Sequence, residues 1–428
     1  MPAGMHSPSR AGAGQAVLTA LLLLLASCHA DSREAVRSPV TDTNNQGDSP
    51  AASAESPPQP AAAAWHVDPA SRLRIGRAAG DPEYLFERVN GVQVLENGRI
   101  AIADAGSESV RLFDASGHWV ATAGGLGGGP GEFRGLKWIG ECSPDTLYAY
   151  DAVNWRITEI DADGGVDHMF TPALPSSDIP PLRVACAPDG NVILMGWGGL
   201  RPDHAMMAWR PDVPIAVVDQ DGRLVRDIGT VRGNERYAFA RSVGPMPLGK
   251  STLIAGGASH VYVGTGDSYE IRQYGRRGQF IRTVRLGRRP VAIADRDINA
   301  FTDSVLALTQ SSAKRNIWRK QLKEVRFPAT LPAYESMLVG GKGCLWVEDY
   351  ARPGTASDRT WSVFAPSGRL VATSATPRGL QVLDIGPSTI AGVTADSLGI
   401  QHVEVHSLLR DSPQGAEACG ETQARGQA

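Results

Sequence analysis

A short pattern of strands and tight turns recurs along most of this sequence, and it constrains the fold more than any other feature. One copy, GVQVLENGRIAIADAGSESVRLFDASGHWVATAG, runs from Gly91 to Gly124. Asn97-Gly98 lies between alternating apolar runs, which is a strong hairpin signal. The copy predicts strands at Gly91–Leu95, Arg99–Ala103 and Val110–Asp114, and a fourth strand from His118. A repeat built only of strands and turns predicts an all-β array of sheets.

The same order of strands and turns returns in later copies. The glycines of the turn between the third and fourth strands are Gly117, Gly164, Gly222, Gly278 and Gly368. A sixth copy, which starts at Leu380, supplies three strands and then stops. Arg72–Gly76 has the pattern of the missing strand, and a strand from the opposite terminus would remove the exposed edge of the array. We therefore expect an all-β, six-bladed β-propeller closed by an N-terminal strand, rather than a doubly wound α/β fold.

Two runs carry a resemblance to a known family. The run GGGPGEF at 127–133 and the run IAIADAGSESVRLFD at 100–114 resemble the NHL family of β-propellers. The resemblance is strong in the first two copies, while only the turn-and-strand order persists in the later ones. It implies that the glycine run links two blades and does not bind phosphate, and no helical pattern follows the run as a phosphate loop would require.

The N-terminus has the pattern of an export signal. The apolar run Ala16–Ala26 is shorter than the roughly 20 residues that span a bilayer, but it fits a signal peptide. Leu25-Ala26-Ser27-Cys28 resembles the bacterial lipobox, which implies cleavage before Cys28 and a lipid on its sulfur. The alternative is an ordinary secretory signal cut near Ala30. By resemblance to Gram-negative sorting, His29 in place of aspartate favours the outer membrane, with the propeller facing the periplasm or the exterior.

Composition divides the chain into four parts. We expect a lipoprotein signal peptide at 1–27, a disordered tether at 28–64, the propeller at 65–412 and a flexible C-terminal tail at 413–428. The tether is rich in Ala, Ser and Pro and has almost nothing to bury. The formal net charge of −3 argues against a nucleic-acid partner, whose footprint would be a basic face.

Three insertions interrupt the repeat, and the strand order places all of them on one face of the disc. They are Gly198–Val213, Ala351–Arg359 and the segment from Gly287 to about Pro332. Loops of this length are uncommon unless they are functional or disordered, so this insert-bearing face is the expected binding face. The longest insertion contains ADRDINAFTDSVLALTQ and AKRNIWRKQLKEV, which predict a short helical insert between blades four and five, with Asp295 as its cap.

Five residues of these insertions are candidates for ligand contact: Trp197, Arg201, His204, Trp209 and Trp318. Trp197 and Trp209 bracket the first insertion, where indoles suit stacking on a sugar or burying a peptide anchor. The alternative for both is packing between blades. Trp318 lies within a run of lysines and arginines, which indicates contact with an anion, a glycan or anionic head groups. The alternative is the solvated side of a helix whose Trp318 packs on the disc.

The strands expected to line the central channel contain few polar residues. Gln93, Lys137 and Asp384 are the polar candidates, and they do not make a ligand set for calcium or zinc, so we expect no cofactor. The first hypothesis is a non-catalytic binding or scaffold propeller that contacts a peptide, protein or glycan. The alternative is a metal-dependent propeller hydrolase or lyase whose ligands come from loops.

The cysteines leave two readings open. Cys142 and Cys186 precede Ser-Pro-Asp and Ala-Pro-Asp, so they occupy equivalent places in neighbouring copies. An oxidising compartment permits a disulfide between them. The alternative is a pair of small buried thiols, because Cα atoms more than about 7 Å apart cannot be bridged.

Overall fold

The protein is all-β apart from two helices and short 3-10 turns. The computed structural model describes residues 62–175, 179–198, 207–239, 243–410 and 419. None of the helices in these ranges is long and apolar enough to cross a membrane. The sheets are mostly four-stranded, and neighbouring strands are antiparallel in every pair but one.

The strands follow the order of the sequence repeat. The first elements are β1 (Ala63–Ile75), β2 (Val89–Val94), β3 (Ile100–Asp104), β4 (Ser109–Phe113), β5 (Trp119–Gly124), β6 (Leu136–Ser143), β7 (Thr146–Asp151), β8 (Arg156–Asp161) and β9 (Val166–Phe170). They continue with β10 (Arg183–Cys186), β11 (Val192–Met195), β12 (Met207–Trp209), β13 (Asp212–Val218), β14 (Leu224–Arg232), β15 (Arg236–Ala238) and β16 (Val243–Pro245). The remainder comprises β17 (Leu253–Gly256), β18 (Val261–Gly264), β19 (Glu270–Tyr274), β20 (Phe280–Arg285), α1 (Asp295–Leu308), α2 (Ser312–Glu324), β21 (Tyr334–Val339), β22 (Leu345–Asp349), β23 (Arg359–Phe364), β24 (Leu370–Thr376), β25 (Gln381–Ile385), β26 (Thr389–Ala395) and β27 (Gln401–Arg410).

The first strands of successive sheets meet around a common axis. The four-stranded sheets are β2-β3-β4-β5, β6-β7-β8-β9, β10-β11-β13-β14 and β17-β18-β19-β20, and an eight-stranded sheet has the order β21-β22-β23-β24-β1-β27-β26-β25. Strand β2 contacts β6, β6 contacts β10, and the series continues through β17, β21 and β25 back to β2. Sheets arranged radially in this way define a β-propeller.

Strand β1 joins the two ends of the chain. It pairs antiparallel with β27, from Trp65 opposite Arg410 to Ile75 opposite Val403, and its first residues also pair parallel with β24. The segment expected to close the ring, Arg72–Gly76, forms the last part of this longer strand, which begins at Ala63. Trp65 is 2% exposed, and its ring centroid lies 5.4 Å from that of Trp346. The closing strand therefore carries a core tryptophan as well as backbone hydrogen bonds.

The direction of β1 determines where the N-terminal segment reaches the propeller. Arg410 ends β27 on the face of the tight turns, and its guanidinium donates to the carbonyl oxygen of Pro387 in the β25–β26 turn. Because Trp65 lies opposite Arg410, the chain enters β1 on this tight-turn face. The insert-bearing face is at the other end of every strand.

Glycines in the turns between third and fourth strands carry the contact between neighbouring sheets. Gly117, Gly164, Gly222, Gly278 and Gly368 all have φ between +68° and +88°. At Gly222 an added Cβ would lie 2.3 Å from the carbonyl oxygen of Thr171, which follows β9 of the preceding sheet. At Gly278 it would lie 2.5 Å from Cγ of Arg226 in β14. These positions need glycine both for the backbone conformation and for the space.

The insertions form one cap on the insert-bearing face, which consists of β12, β15, β16, α1 and α2. Tyr237 and Phe239, in and just after β15, pack with Phe301 and Val305 of α1 and Leu322 of α2. The small sheet β12-β15-β16 unites the first insertion with the link that follows β14. The cap thus has its own apolar core.

One ion pair ties the insertion of the β22–β23 loop to the cap. The Arg352 guanidinium donates to both carboxylate oxygens of Asp297, at 3.1 and 2.8 Å, and holds the pKa of Asp297 below its ordinary value. The expectation that Asp295 caps α1 is wrong. The N-cap is Ala294, and its backbone N–H is satisfied by the Asp297 carboxylate from inside the first turn.

Two glycine variants separate backbone strain from crowding between sheets. Gly399→Ala introduces a side chain at φ +83° with no atom within 4 Å, and we expect a loss of about 1–2 kcal/mol in the free energy of unfolding. Gly222→Ala introduces the same strain at φ +77°. Its Cβ also meets the Thr171 carbonyl oxygen, so we expect a further loss of about 1–3 kcal/mol in the free energy of unfolding. Urea unfolding of both variants measures the difference, and equal losses would show that the turn does not press on the neighbouring sheet.

Candidate functional site

A channel runs along the propeller axis and is enclosed by described residues. Its volume is about 1260 Å³, and it is lined by all six of the first strands β2, β6, β10, β17, β21 and β25. Gln93, Lys137 and Asp384 all contribute to its wall, as the sequence predicted for these polar candidates. The volume exceeds the range of about 300–1,000 Å³ that is usual for ligand pockets.

At the insert-bearing end, Lys137 and Arg183 line one side of the channel, and Trp197, Trp209 and Arg236 adjoin Lys137 through cation–ring contacts. We call this set the basic wall: Lys137, Arg183, Trp197, Trp209 and Arg236. The Arg236 guanidinium lies 5.4 Å from the Trp197 ring centroid and 5.8 Å from that of Trp209. The Lys137 ammonium lies 5.9 Å from the Trp197 ring. Both indoles therefore contact cations and are held together through Arg236.

Local strand structure positions these side chains. Lys137 and Arg183 lie at the beginnings of β6 and β10, where these strands leave the insert-bearing face. Trp197 follows β11 and remains 37% exposed. Trp209 and Arg236 are cross-strand partners in β12 and β15, so the small sheet of the cap places them side by side.

The basic wall contains hydrogen-bond donors without acceptors. The Nε atoms of Arg183 and Arg236 and the Nε1 atom of Trp209 are buried and have no hydrogen-bond partner among the described residues. No ion pair within the described ranges involves Lys137, Arg183 or Arg236, whereas the adjacent Arg210 pairs with Asp267 at 2.6 Å. Buried donors of this kind usually have partners, because an unsatisfied group costs free energy.

Burial shifts the ionisation of this wall. Burial, together with the nearby charge of Arg183, lowers the pKa of Lys137 to about 8, although the ammonium faces the open channel. Burial also lowers the pKa of the Arg183 and Arg236 guanidinium groups. The wall is a concentration of positive charge that the described carboxylates do not neutralise.

The sheet that contains β21, β22 and β23 contributes an acidic cluster to the channel. Glu348 is 6% exposed and forms an ion pair with Arg359, which also lies 3.8 Å from Glu335. Burial raises the pKa of Glu348 to about 7, opposed by Arg359 and assisted by the charge of Glu335. Unlike the cations of the basic wall, Arg359 has carboxylate partners.

A second polar contact lies deeper in the channel. The Asp384 carboxylate accepts from Nε2 of Gln93 at 3.1 Å and from the backbone N–H of Val94 at 3.0 Å. Burial raises the pKa of Asp384 to about 6, and these hydrogen bonds oppose the rise. The pair links β25 to β2, so it fastens the first and last of the inner strands to each other.

The sequence-predicted candidates have different positions. Trp197 and Trp209 meet at the basic wall, but Trp318 packs edge-on against Phe239 in the cap core at 5.6 Å. Arg201 and His204 lie outside the described residues, as does Cys28. The sulfurs of Cys142 and Cys186 are bonded, with Cα atoms 5.0 Å apart.

A second disulfide joins Cys344 to Cys419, which the sequence analysis did not pair. Cys419 lies within the predicted C-terminal tail and is 2% exposed. An added Cβ on Gly343 would lie 3.5 Å from its carbonyl oxygen. The bond places this residue of the tail beside the turn that follows β21, on the tight-turn face.

Sequence reasoning missed Arg183, Arg236, Glu335, Glu348 and Arg359. Arg183 alternates with Val184 and is on the same side of β10 as Ala185, so the period of two could have identified it. Arg236 belongs to a link between sheets, and only its pairing with Trp209 brings it to the mouth. No local signal in the sequence indicates that pairing.

Within the described ranges, no group of three or more His, Cys, Asp or Glu side chains is placed to hold a metal ion. The histidines of the described ranges also lie away from the channel lining. What the mouth offers instead is binding chemistry: cations, N–H donors and indole faces on one side, and carboxylates on another.

The sequence matches no protein-family model and no curated protein. Among solved structures, a protein of Bacteroides fragilis described as exported is 12% identical, with a TM-score of 0.43, covering 82% of this chain and 99% of that one. A member of the DUF4221 family from Bacteroides vulgatus is 10% identical, with a TM-score of 0.45, covering 80% and 99%. Virginiamycin B lyase from Staphylococcus aureus is 12% identical, with a TM-score of 0.41, covering 79% and 98%. Likenesses this distant carry no inference about what this chain binds.

Two arginine variants test whether the basic wall is electrostatically unsatisfied. Arg183→Met removes a buried charge that has no described partner, so we expect the free energy of unfolding to rise by about 1–3 kcal/mol. Arg359→Met leaves Glu348 buried beside Glu335, so we expect a loss of up to about 3 kcal/mol at pH 8. The loss is smaller at pH 5, because Glu348 is then protonated. Thermal and urea unfolding at both pH values checks this, and destabilisation by Arg183→Met would mean that Arg183 has an anionic partner.

The ionisation of Lys137 can be measured directly. We expect its ammonium to titrate near pH 8 in the folded protein and at a higher pH in Arg183→Met, because one of the two causes of the shift is removed. Carbon-13 NMR of the reductively methylated protein, with the signal assigned from Lys137→Arg, provides the measurement. A midpoint above about 10 in the wild type would contradict the crowding of cations at this wall.

Proposed function

We propose that this chain is a non-catalytic binding or scaffold propeller, carried on an envelope lipoprotein, that contacts a peptide, protein or glycan with its insert-bearing face. The observation that supports this most is the convergence of separate insertions into one cap beside the channel mouth. Arg236 pairs with Trp209 across β12 and β15, and Arg352 ties the β22–β23 loop to α1. The cap is built from insertions that lie outside the four-stranded sheets, so the sheets themselves do not need it.

The proposal includes a closed ring of six NHL-like blades. The four separate four-stranded sheets supply four of them, and the two halves of the eight-stranded sheet supply the others. In this assignment β25, β26 and β27 belong to the last blade, and β1 is its outer strand. The circular contacts among the first strands support the assignment.

The route of β1 supports a particular orientation for a lipoprotein anchored through Cys28. The chain enters the propeller on the tight-turn face, so a tether from the membrane would arrive there and the insert-bearing face would point away. Flexible-chain scaling gives such a tether a typical reach of about 30–35 Å. The binding face would therefore remain available to ligands in the periplasm or outside the cell, and the proposed outer-membrane location suits either.

Exposed apolar side chains add to the same face. Leu126, Val153 and Leu398 lie in a sheet-to-sheet link and in two loops between second and third strands, and they are 77%, 65% and 83% exposed. They belong to sheets without long insertions. Exposed apolar groups around a binding face are typical of contact with a partner.

The second candidate is a metal-dependent propeller hydrolase or lyase whose ligands come from loops. Metal analysis of the purified protein distinguishes the two candidates. The binding proposal predicts no stoichiometric calcium or zinc after dialysis against a buffer without chelator. One equivalent of either metal that is lost together with an enzymatic activity would favour the second candidate.

Two exposed tryptophans test which face binds. The protein with Cys28→Ser, without its signal peptide, is screened on glycan and peptide arrays as wild type, Trp197→Ala and Trp119→Ala. Trp119 is 43% exposed on the outer strand β5, away from the mouth, and serves as the matched control. We expect Trp197→Ala to lower the affinity for the ligands found on the arrays at least tenfold, which is about 1.4 kcal/mol of binding free energy. Trp119→Ala should leave the affinity unchanged. Equal binding by both variants would place the ligand on another face.

A further inference from the structure

Several N–H groups of the basic wall have no acceptor among the described residues, and its cations have no described ion-pair partner. The unpaired N–H groups of Arg183, Arg236 and Trp209 accompany the Lys137 ammonium on one side of the mouth. Arginine and lysine side chains bind carboxylate and other oxyanions through charged hydrogen bonds, which are about twice as strong as neutral ones. The chemistry missing from this wall is therefore an oxyanion.

The other component of the wall is a pair of indole rings. Trp197 is partly exposed and lies beside Lys137 and Arg236. Trp209 adjoins the guanidinium of the same Arg236. Indoles provide a flat face and a polar edge, which suits a ring that is apolar on one face and polar at its rim. A pyranose that bears a carboxylate combines this shape with the missing charge.

The surrounding channel favours a sugar over a peptide. Ile139 and Val184, the apolar neighbours of the wall on β6 and β10, are each 5% exposed because they pack between the sheets. The wall thus offers charges and indole faces but no apolar pocket of its own for a peptide anchor. A peptide without an anchor residue would lose the contacts that usually dominate its affinity.

We propose that the basic wall binds the carboxylate of an acidic sugar residue in a glycan, with the sugar ring against Trp197. This inference rests on the proposed binding function and names the ligand class of the same face. Arg236 and Lys137, whose charged groups lie 5.4 and 5.9 Å from the Trp197 ring centroid, contact the carboxylate. Arg183 supplies positive charge beside Lys137, where no described carboxylate balances it.

Defined oligosaccharides test the proposal with the full mature protein in detergent. The probes are trigalacturonate and the neutral trigalactose of the same size, and an acidic tripeptide and its C-terminal amide serve as the peptide comparison. Calorimetry at low salt measures affinity. We expect trigalacturonate to bind and trigalactose to bind at least tenfold more weakly, because only the former supplies the oxyanion.

Variants assign the binding to the wall. Lys137→Met and Arg236→Met should each lower the affinity for trigalacturonate at least fivefold. Lys342→Met changes a lysine at the opposite end of the channel and should leave the affinity within twofold. Arg183→Met is informative in a second way, since it should weaken binding while raising the melting temperature, so loss of binding cannot then come from unfolding.

The outcomes separate this inference from the proposed function. Equal binding of both trisaccharides, or equal effects of Lys342→Met and Arg236→Met, would overturn the acidic-sugar assignment. Binding of the free-acid tripeptide alone would also overturn it in favour of a peptide carboxylate, with the binding function intact. If no probe binds while array ligands still depend on Trp197, the acidic-sugar assignment fails and the proposed function stands. If the arrays are also negative, both fail.

Discussion

The fold depends on the pairing of β1 with β27, because this contact joins the N-terminal strand to the last sheet of the propeller. Without it, β27 would be an edge strand with unpaired backbone groups. The structure reinforces the contact in two ways. Trp65 is buried against Trp346, and the first residues of β1 also pair with β24. Deeper in the channel, Asp384 and Gln93 fasten the inner strands of the two ends to each other.

The order of strands and turns gives the propeller two unlike faces. Tight turns with left-handed glycines make one face compact, and at Gly222 and Gly278 they press on the neighbouring sheet so closely that no side chain fits. The other face is free of this constraint, so it can carry insertions without disturbing the contacts between sheets. The cap, its separate apolar core and the Arg352–Asp297 ion pair are consequences of that freedom. Both disulfides involve the turn ends of the strands, so the covalent links reinforce the compact face and leave the insert-bearing face unlinked.

The basic wall and the acidic cluster show how the same channel treats charge in two ways. Glu348 and Arg359 pair with each other, so neither buried charge is left without a partner. Arg183 and Arg236 are partly buried, their Nε atoms have no described acceptor, and the proposed ligand would bring an oxyanion beside these charges. Natural proteins retain such unfavourable arrangements mainly where a ligand uses them. The two sides of the mouth therefore differ in charge pairing, and the basic wall is the side with unpaired cations.

Much of the fold could be predicted from the sequence, because its determinants are local. Alternating apolar residues and turn glycines such as Gly117 and Gly222 specify strands and left-handed turns within a few residues, and the observed strands lie within a residue or two of those expected in the first copy. The incomplete last copy also indicated that Arg72–Gly76 must supply a strand. Lys137 and Asp384 could be assigned to the channel because they occur in the first strands of the repeat.

The candidate site was decided by tertiary structure. Trp197 and Trp209 were identifiable as candidates, but their union depends on Arg236, which lies in a link and reaches Trp209 only through the pairing of β12 with β15. Trp318 resembles them in the sequence, yet packing against Phe239 removes it to the cap core. The sequence by itself therefore determined the repeated sheets and the face that receives the insertions, since both follow from periodicity and strand order. Only the folded chain decided which charges remain unpaired at the channel mouth, because that depends on contacts between segments distant in sequence.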